Sequence, residues 1–137
     1  MSVNERVLVE IKTLFNSYGE NDALEVISLA TTDGFPIYTH KQIARTIEED
    51  TLSAAASTLH SVSNAVAQQI LGKSFRVTFI EAEQGNVAIV DLTIASQNCV
   101  LVMSASEALN IASLRLLITR LANEIQTAAL NTAAASA

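Results

Sequence analysis

The sequence is short of the residues that most chemistry requires. Tryptophan is absent from the 137 residues, and cysteine and proline each occur once. Charged residues make up 16% of the chain, whereas about 25% is usual for a soluble domain. No apolar run approaches the about 20 residues that cross a bilayer. A chain that is poor in charge but cannot span a membrane is expected to cover part of its surface with another chain.

Cysteine, histidine and glycine are too few or too scattered for the common catalytic and cofactor sites. Cys99 permits no intramolecular disulfide, and with His40 and His60 it offers no spacing typical of a metal site. Cys99 also opens an apolar run, which favours an inert buried thiol over a nucleophile. The four glycines are dispersed and form no phosphate-binding loop. We therefore predict no catalytic residues, no metal and no cofactor.

The charge balance bears on partners and location. The formal net charge is −6, and the eight Lys and Arg residues are scattered along the chain. Such a surface repels phosphate backbones, and few aromatic side chains are present to stack on bases. Residues 1–12 mix charged and apolar residues, unlike a secretory signal. We predict a cytoplasmic protein with neither a nucleic-acid partner nor a membrane span.

The first half of the chain has the pattern of a helix, a hairpin and a second helix. Apolar residues recur every three or four positions from residue 3 to Tyr18, and Gly19 ends the run. Two β-rich segments, residues 26–32 and 35–39, flank the turn signal Asp33-Gly34. Pro36 lacks a backbone donor, which favours an edge strand or a strand with an irregular start. A long helix without Gly or Pro then continues to Gly72, a typical helix cap.

The second half predicts three strands and a last helix. Residues 75–81 and 87–93 flank a turn at Gly85, and residues 99–103 are apolar throughout, as in a central strand covered on both faces. Residues 104–107 match a capping box that would begin the last helix. The order indicates an α+β fold with a five-stranded antiparallel sheet. We predict one domain over residues 1–127 and a frayed alanine-rich tail over residues 128–137.

Two segments suggest contact surfaces. Alanine and serine are abundant in the second helix, so its backbone could approach a helix of another chain closely, or it could simply lie flat on its own sheet. The segment 75–81 alternates apolar and polar residues. At a free sheet edge this strand could pair with its own copy in a twofold dimer.

Several of these features together resemble the Roadblock/dynein light chain family. They are the order of elements, the strand at residues 26–32 leading into Asp33-Gly34-Phe35-Pro36-Ile37, the acidic residues 48–50 before an alanine-rich helix, and the turn at Gly85. The resemblance covers residues 23–126. It implies that the middle helix lies on one face of the sheet and the terminal helices on the other. It also implies homodimers in which the middle helices pack together and the third strands join the two sheets.

The resemblance implies residues and a function as well. Carried onto this sequence, the dimer interface comprises Ala55, Leu59, Val62, Val66, Arg76, Val77, Thr78, Phe79 and Ile80. Members of the family regulate or scaffold small Ras-like GTPases, including bacterial ones, or serve as dynein light chains, and none is a conventional enzyme. The expected function is thus a non-enzymatic homodimeric regulator or scaffold that binds a small Ras-like GTPase and modulates its GTP-hydrolysis cycle or localisation. Candidate GTPase contacts are His60, Asn64 and Gln68.

Two other functions stay open at the level of sequence. Sheets flanked by helices also form ligand pockets, so the chain could be a small-molecule-sensing module. It could also be a general protein-interaction adaptor of the dynein light chain type. An enzyme built on Cys99 and a histidine is the least favoured alternative.

Overall fold

The computed structural model describes residues 3–136, and the side chains of residues 3–133. The elements in chain order are α1 (Glu5–Tyr18), β1 (Leu24–Thr31), β2 (Pro36–Lys41), α2 (Glu49–Leu71), β3 (Val77–Ala82), β4 (Gly85–Ile94), β5 (Gln97–Ser106) and α3 (Ile111–Ser136). The predicted element order and the α+β class are confirmed.

In the described residues, the strands form a single antiparallel sheet in the order β2-β1-β5-β4-β3. The strand β5 lies in the middle, which accounts for the unbroken apolar run of residues 99–103. The strand β2 lies at one edge and begins at Pro36. A residue without a backbone donor is tolerated at such a position. The strand β3 forms the opposite edge.

The helices divide between the two faces of the sheet as expected. The helices α1 and α3 pack on one face and enclose the larger core, whose buried side chains include Ile11, Phe15, Leu101, Met103, Leu114 and Ile118. The helix α2 packs on the other face over a smaller cluster of buried side chains: Ala30, Ala56, Ile89, Val100 and Val102. The alternation of side chains along each strand supplies both cores from one sheet.

The predicted start of the last helix is wrong. Ser104 lies within β5, where it pairs with Val26 of β1 and Val87 of β4. The helix α3 begins at Ile111, and the Asn110 side chain caps it by accepting the Ser113 N–H at 2.8 Å. Pairing on both sides of β5 outweighs a local capping motif, because it satisfies the backbone donors and acceptors of the strand.

The end of the chain also differs from expectation. The sequence predicts a frayed tail over residues 128–137, whereas α3 continues to Ser136 and buries Ala129 in the larger core. Alanine is the strongest helix former, so an alanine-rich segment extends a helix that packing has already established. Residue 137 lies outside the described residues. The domain boundary at residue 127 stays a prediction.

Candidate interaction site

The helix α2 crosses the strands instead of running along them. Its contacts move across the sheet in chain order, from the hairpin after β1 through β4 to β3. The Ser57 hydroxyl donates to the Thr32 carbonyl, His60 Nε2 lies 2.7 Å from Asp91 Oδ1, and Ser63 Oγ lies 2.8 Å from Thr78 Oγ1. These contacts fix one face of α2 on the sheet as far as Ser63.

Beyond Ser63 the helix projects past the sheet. Its last side chains are mostly exposed, and four large apolar residues of its second half face solvent: Val62 (53% exposed), Val66 (51%), Ile70 (74%) and Leu71 (68%). Three of them follow at intervals of four residues, so they line one flank of the helix. Exposed apolar flanks of this kind are typical of interaction surfaces.

The predicted helix residues of the dimer interface fall on this flank. Ala55, Val62 and Val66 are exposed, and Leu59 is half-buried against the smaller cluster. We call the set Ala55, Leu59, Val62, Val66 and Ile70 the α2 flank. The sheet face of the same helix instead carries Ser53 and Ala56, which are both buried.

The strand β3 presents an unpaired edge beside this flank. Within the described residues β3 pairs with β4 alone, so its outer N–H and C=O groups have no strand partner. The predicted interface residues of this segment range from half-buried Val77, Thr78 and Phe79 to exposed Arg76 and Ile80. An open edge of this kind is a template for pairing with another strand.

Charge is distributed unevenly along this edge. Lys73 and Arg76 precede β3, whereas Glu81 and Glu83 lie at its end, and all four residues are exposed. One end of the edge is thus basic and the other acidic. Such an edge is complementary to itself when a second copy approaches in the antiparallel direction.

The three candidate GTPase contacts lie on another side of α2. The His60 ring meets Asp91 and stacks edge-on against Phe75 at 5.2 Å between ring centroids, which leaves its side chain 16% exposed. The Asn64 side chain accepts the Phe75 N–H at 3.4 Å, and the Gln68 amide donates to Ser74 Oγ at 3.3 Å. All three therefore fasten the segment that returns from α2 to β3. Of the three, Gln68 alone is exposed.

Sequence reasoning missed this structural role because the partner of His60 is distant in the chain. Asp91 follows His60 by 31 positions. The one available signal was that the strand 87–93 carries an acidic residue among apolar ones, which marks a position open to a polar partner.

The candidate nucleophile is buried. Cys99 has no exposed surface, and burial raises the pKa of its thiol to about 12, with the nearby carboxylates Asp91 and Asp33 adding to the effect. A thiol in this environment stays protonated and unreactive. No group of three or more His, Cys, Asp or Glu side chains suited to a metal ion occurs among the residues that the structure describes. No helix in the same part of the chain has the length and apolar character needed to cross a membrane.

The terminal helices form a groove with a different character. It lies between α1 and α3, has a volume of about 790 Å³, and mixes apolar Val9 and Leu14 with charged Glu10, Arg120 and Glu124. At its edge the Tyr18 hydroxyl donates to Glu124 at 2.7 Å and accepts from Arg120 Nε at 3.0 Å. Burial and the bond to Glu124 raise the pKa of Tyr18. The tyrosine is thus held in its neutral, donating form.

Comparison with known proteins gives a family and a fold. Residues 10–105 match the family described as the Roadblock/LC7 domain. Among solved structures, the gliding protein MglB from Thermus thermophilus superposes with a TM-score of 0.80 at 13% identity, over 96% of each chain. MglB from Myxococcus xanthus gives 0.78 at 17% identity, over 93% of this chain and 92% of the other. A structure described as MglB with a tetrameric arrangement gives 0.82 at 13% identity, over 96% of each chain. No curated protein matches the sequence.

Proposed function

The chain belongs to the Roadblock/LC7 domain family, and we propose that it is a non-enzymatic homodimeric regulator or scaffold for a small Ras-like GTPase. In this proposal it acts in the cytoplasm and modulates the GTP-hydrolysis cycle or the localisation of that GTPase. The buried, protonated thiol of Cys99 supports a role without chemistry of its own.

The observation that carries the proposal is that the α2 flank and the open edge of β3 adjoin each other. A twofold dimer in which β3 pairs antiparallel with its copy satisfies the open edge and brings the two α2 helices together. It also sets Lys73 and Arg76 of each copy near Glu81 and Glu83 of the other. The interface in this proposal comprises Ala55, Leu59, Val62, Val66, Arg76, Val77, Thr78, Phe79 and Ile80. That one MglB structure is described as a tetrameric arrangement supports self-association within this fold.

His60, Asn64 and Gln68 are the proposed GTPase contacts. Their side chains lie off the α2 flank, on the side that holds residues 74 and 75, so dimerisation through the flank leaves this side open. Gln68 makes the largest contact in this proposal because its side chain is exposed, whereas His60 and Asn64 are half-buried and also hold Phe75 in place.

Binding of the purified protein to Ras-like GTPases tests the proposal. The GTPases encoded nearest its gene are loaded with GTP or GDP and titrated, and we expect affinity to depend on the nucleotide. Gln68→Ala should weaken binding, while Gln69→Ala, one residue further along α2, serves as the matched control. Equal or absent binding of both loaded forms across these GTPases would remove the regulatory function.

One observation favours a second function, the sensing of a small molecule. The groove between α1 and α3 has a volume of about 790 Å³, within the range of about 300–1,000 Å³ typical of ligand sites. A metabolite that raises the melting temperature at low micromolar concentration would support this function. If Arg120→Ala left that shift intact, the ligand would bind elsewhere.

A further inference from the structure

The face of the sheet that carries α2 is only partly covered by it. Beneath the helix lie Ala30 and Val100, which are buried in the smaller cluster. Val102 and Val26 lie on the same strands, nearer to the β3–β4 turn, and there the sheet faces a cavity of about 510 Å³. Residues of the segment 43–52 border it. We call it the linker cavity. Its lining combines charged and polar residues, among them Glu25, Arg45 and Glu83, with apolar side chains that include Val26, Ile43, Ile47, Leu52, Val87 and Val102.

The free end of α2 carries an apolar side chain, Leu71, that faces the direction needed to reach such a cavity. Leu71 follows Ser53 by 18 residues, which is five full turns of helix at 3.6 residues per turn. Leu71 therefore points in the direction in which Ser53 meets the sheet. Ser53 is 1% exposed, whereas Leu71 and its neighbour Ile70 are among the most exposed apolar residues described. The end of α2 therefore has an apolar side chain on its sheet-facing side, but no described strand of its own chain lies beneath it.

The proposed dimer supplies a sheet at that position. From Ser63, which contacts β3, to Leu71 the helix advances about 12 Å. Neighbouring strands are about 4.8 Å apart, so the second strand beyond β3 in the joined sheet is β4 of the other copy, at about 9.6 Å. The end of α2 thus reaches the strand that carries Val87.

The twofold symmetry also places the end of α2 over the half of that sheet that contains the linker cavity. Antiparallel pairing of β3 reverses the strand direction between copies, so a helix over the β3 start of one chain extends over the β3 end of the other. The linker cavity lies at this end, beside the β3–β4 turn. The two α2 helices then run side by side without competing for the same surface.

We propose that Leu71 of each chain enters the linker cavity of a second copy. This inference rests on the proposed homodimer and adds a reciprocal contact that the α2 flank and the β3 edge do not contain. In a single chain the Leu71 side chain is exposed, and no side chain of the described residues fills the cavity at its apolar lining. The contact also ties residues 43–52 to the dimer, so this segment becomes part of the assembled surface.

Cysteine crosslinking tests the contact directly, since the single native cysteine is buried and is removed by Cys99→Ala. In this background, chains carrying Leu71→Cys are co-expressed with chains carrying Val87→Cys or, separately, Ile47→Cys. Mild oxidation is expected to give a covalent heterodimer in each case, because a disulfide forms only when the Cα atoms lie within about 7 Å. Pairing Leu71→Cys with Leu116→Cys is the matched control, since exposed Leu116 lies on α3 across the sheet.

Light scattering on the same mixtures distinguishes a wrong cavity contact from a wrong homodimer. Dimeric mass without either cavity crosslink would overturn the proposed contact and leave the homodimer standing. Monomeric mass in the Cys99→Ala background and in the unmodified protein would overturn both. A crosslink of equal yield to Leu116→Cys would show random collision and would also overturn the contact.

Discussion

The two faces of the sheet differ in how completely the helices that cover them are buried. On the face covered by α1 and α3, the large side chains of Phe15, Leu114 and Ile118 in these helices have no exposed surface. Under α2 the buried cluster is small, and apolar side chains of the helix, such as Val62 and Val66, are about half exposed. Burial of apolar area contributes roughly 25 cal/mol per Å², so the first face carries most of the stability of the single chain. On the second face, much of the apolar area of α2 stays exposed in the single chain, and the proposed dimer would cover it.

The two faces are expected to differ most in the rate at which a cysteine on each face reacts with a thiol reagent. Cys99 lies in the core under α1 and α3, and its pKa is raised from 9.0 to about 12. At pH 8 this lowers the thiolate fraction about a thousandfold relative to the unfolded chain. We expect Ellman's reagent to label native Cys99 at least several hundredfold more slowly than Val66→Cys in a Cys99→Ala background, measured on dilute protein.

The raised pKa of Cys99 also makes the stability of the folded chain depend on pH. Because the folded thiol has the higher pKa, the folded state binds its proton more tightly, and stability falls as the pH rises above 9. The Cys99→Ala variant should show a shallower alkaline loss. Rapid native labelling of Cys99 would contradict the closed face and restore the enzyme alternative.

A truncation in the closed core should have the next largest effect. Ile118 is 0% exposed, so Ile118→Ala removes buried methyl groups and leaves a cavity. We expect a loss of about 2–5 kcal/mol in the free energy of unfolding, measured by urea denaturation. Leu116→Ala, two residues earlier on the exposed side of α3, should change it by less than about 0.5 kcal/mol. Similar losses for both variants would mean that this face is not closed.

The difference between the faces was only partly predictable from the sequence. Period and turn signals located the edge strand β2 and the central strand β5, because Pro36 and residues 99–103 constrain backbone pairing directly. The start of α3 could not be predicted in this way, because the strand pairing of Ser104 depends on residues about 20 and 80 positions away. The role of His60 was missed for the same reason. Local sequence specifies elements well, whereas contacts that join distant elements depend on the completed sheet.

On the open face, a charge in the α2 flank should act on assembly and spare the fold. Val62→Glu places a carboxylate from each copy in the proposed helix contact, where it loses its water without gaining a partner. We expect the dimer dissociation constant to rise at least about a hundredfold, with monomeric mass by light scattering and little change in far-UV circular dichroism. Leu116→Glu, on the opposite face, is the matched control. An unchanged dimer mass for Val62→Glu would exclude the α2 flank from the interface.

The smallest expected effect concerns the charges along β3, and it tests the direction in which two copies pair. In the proposed antiparallel arrangement the start of β3, with Arg76, lies near the end of the second copy's β3, with Glu81. Both side chains are exposed, so each such pair contributes only about 0.2–1 kcal/mol. Because the symmetry duplicates the pair, Arg76→Glu should weaken the dimer about tenfold at low salt, measured by analytical ultracentrifugation. Added Glu81→Arg should restore it, and about 1 M salt should remove the difference, since it shortens the screening length to about 3 Å. A parallel pairing would set like charges together, and the double variant would then show no restoration.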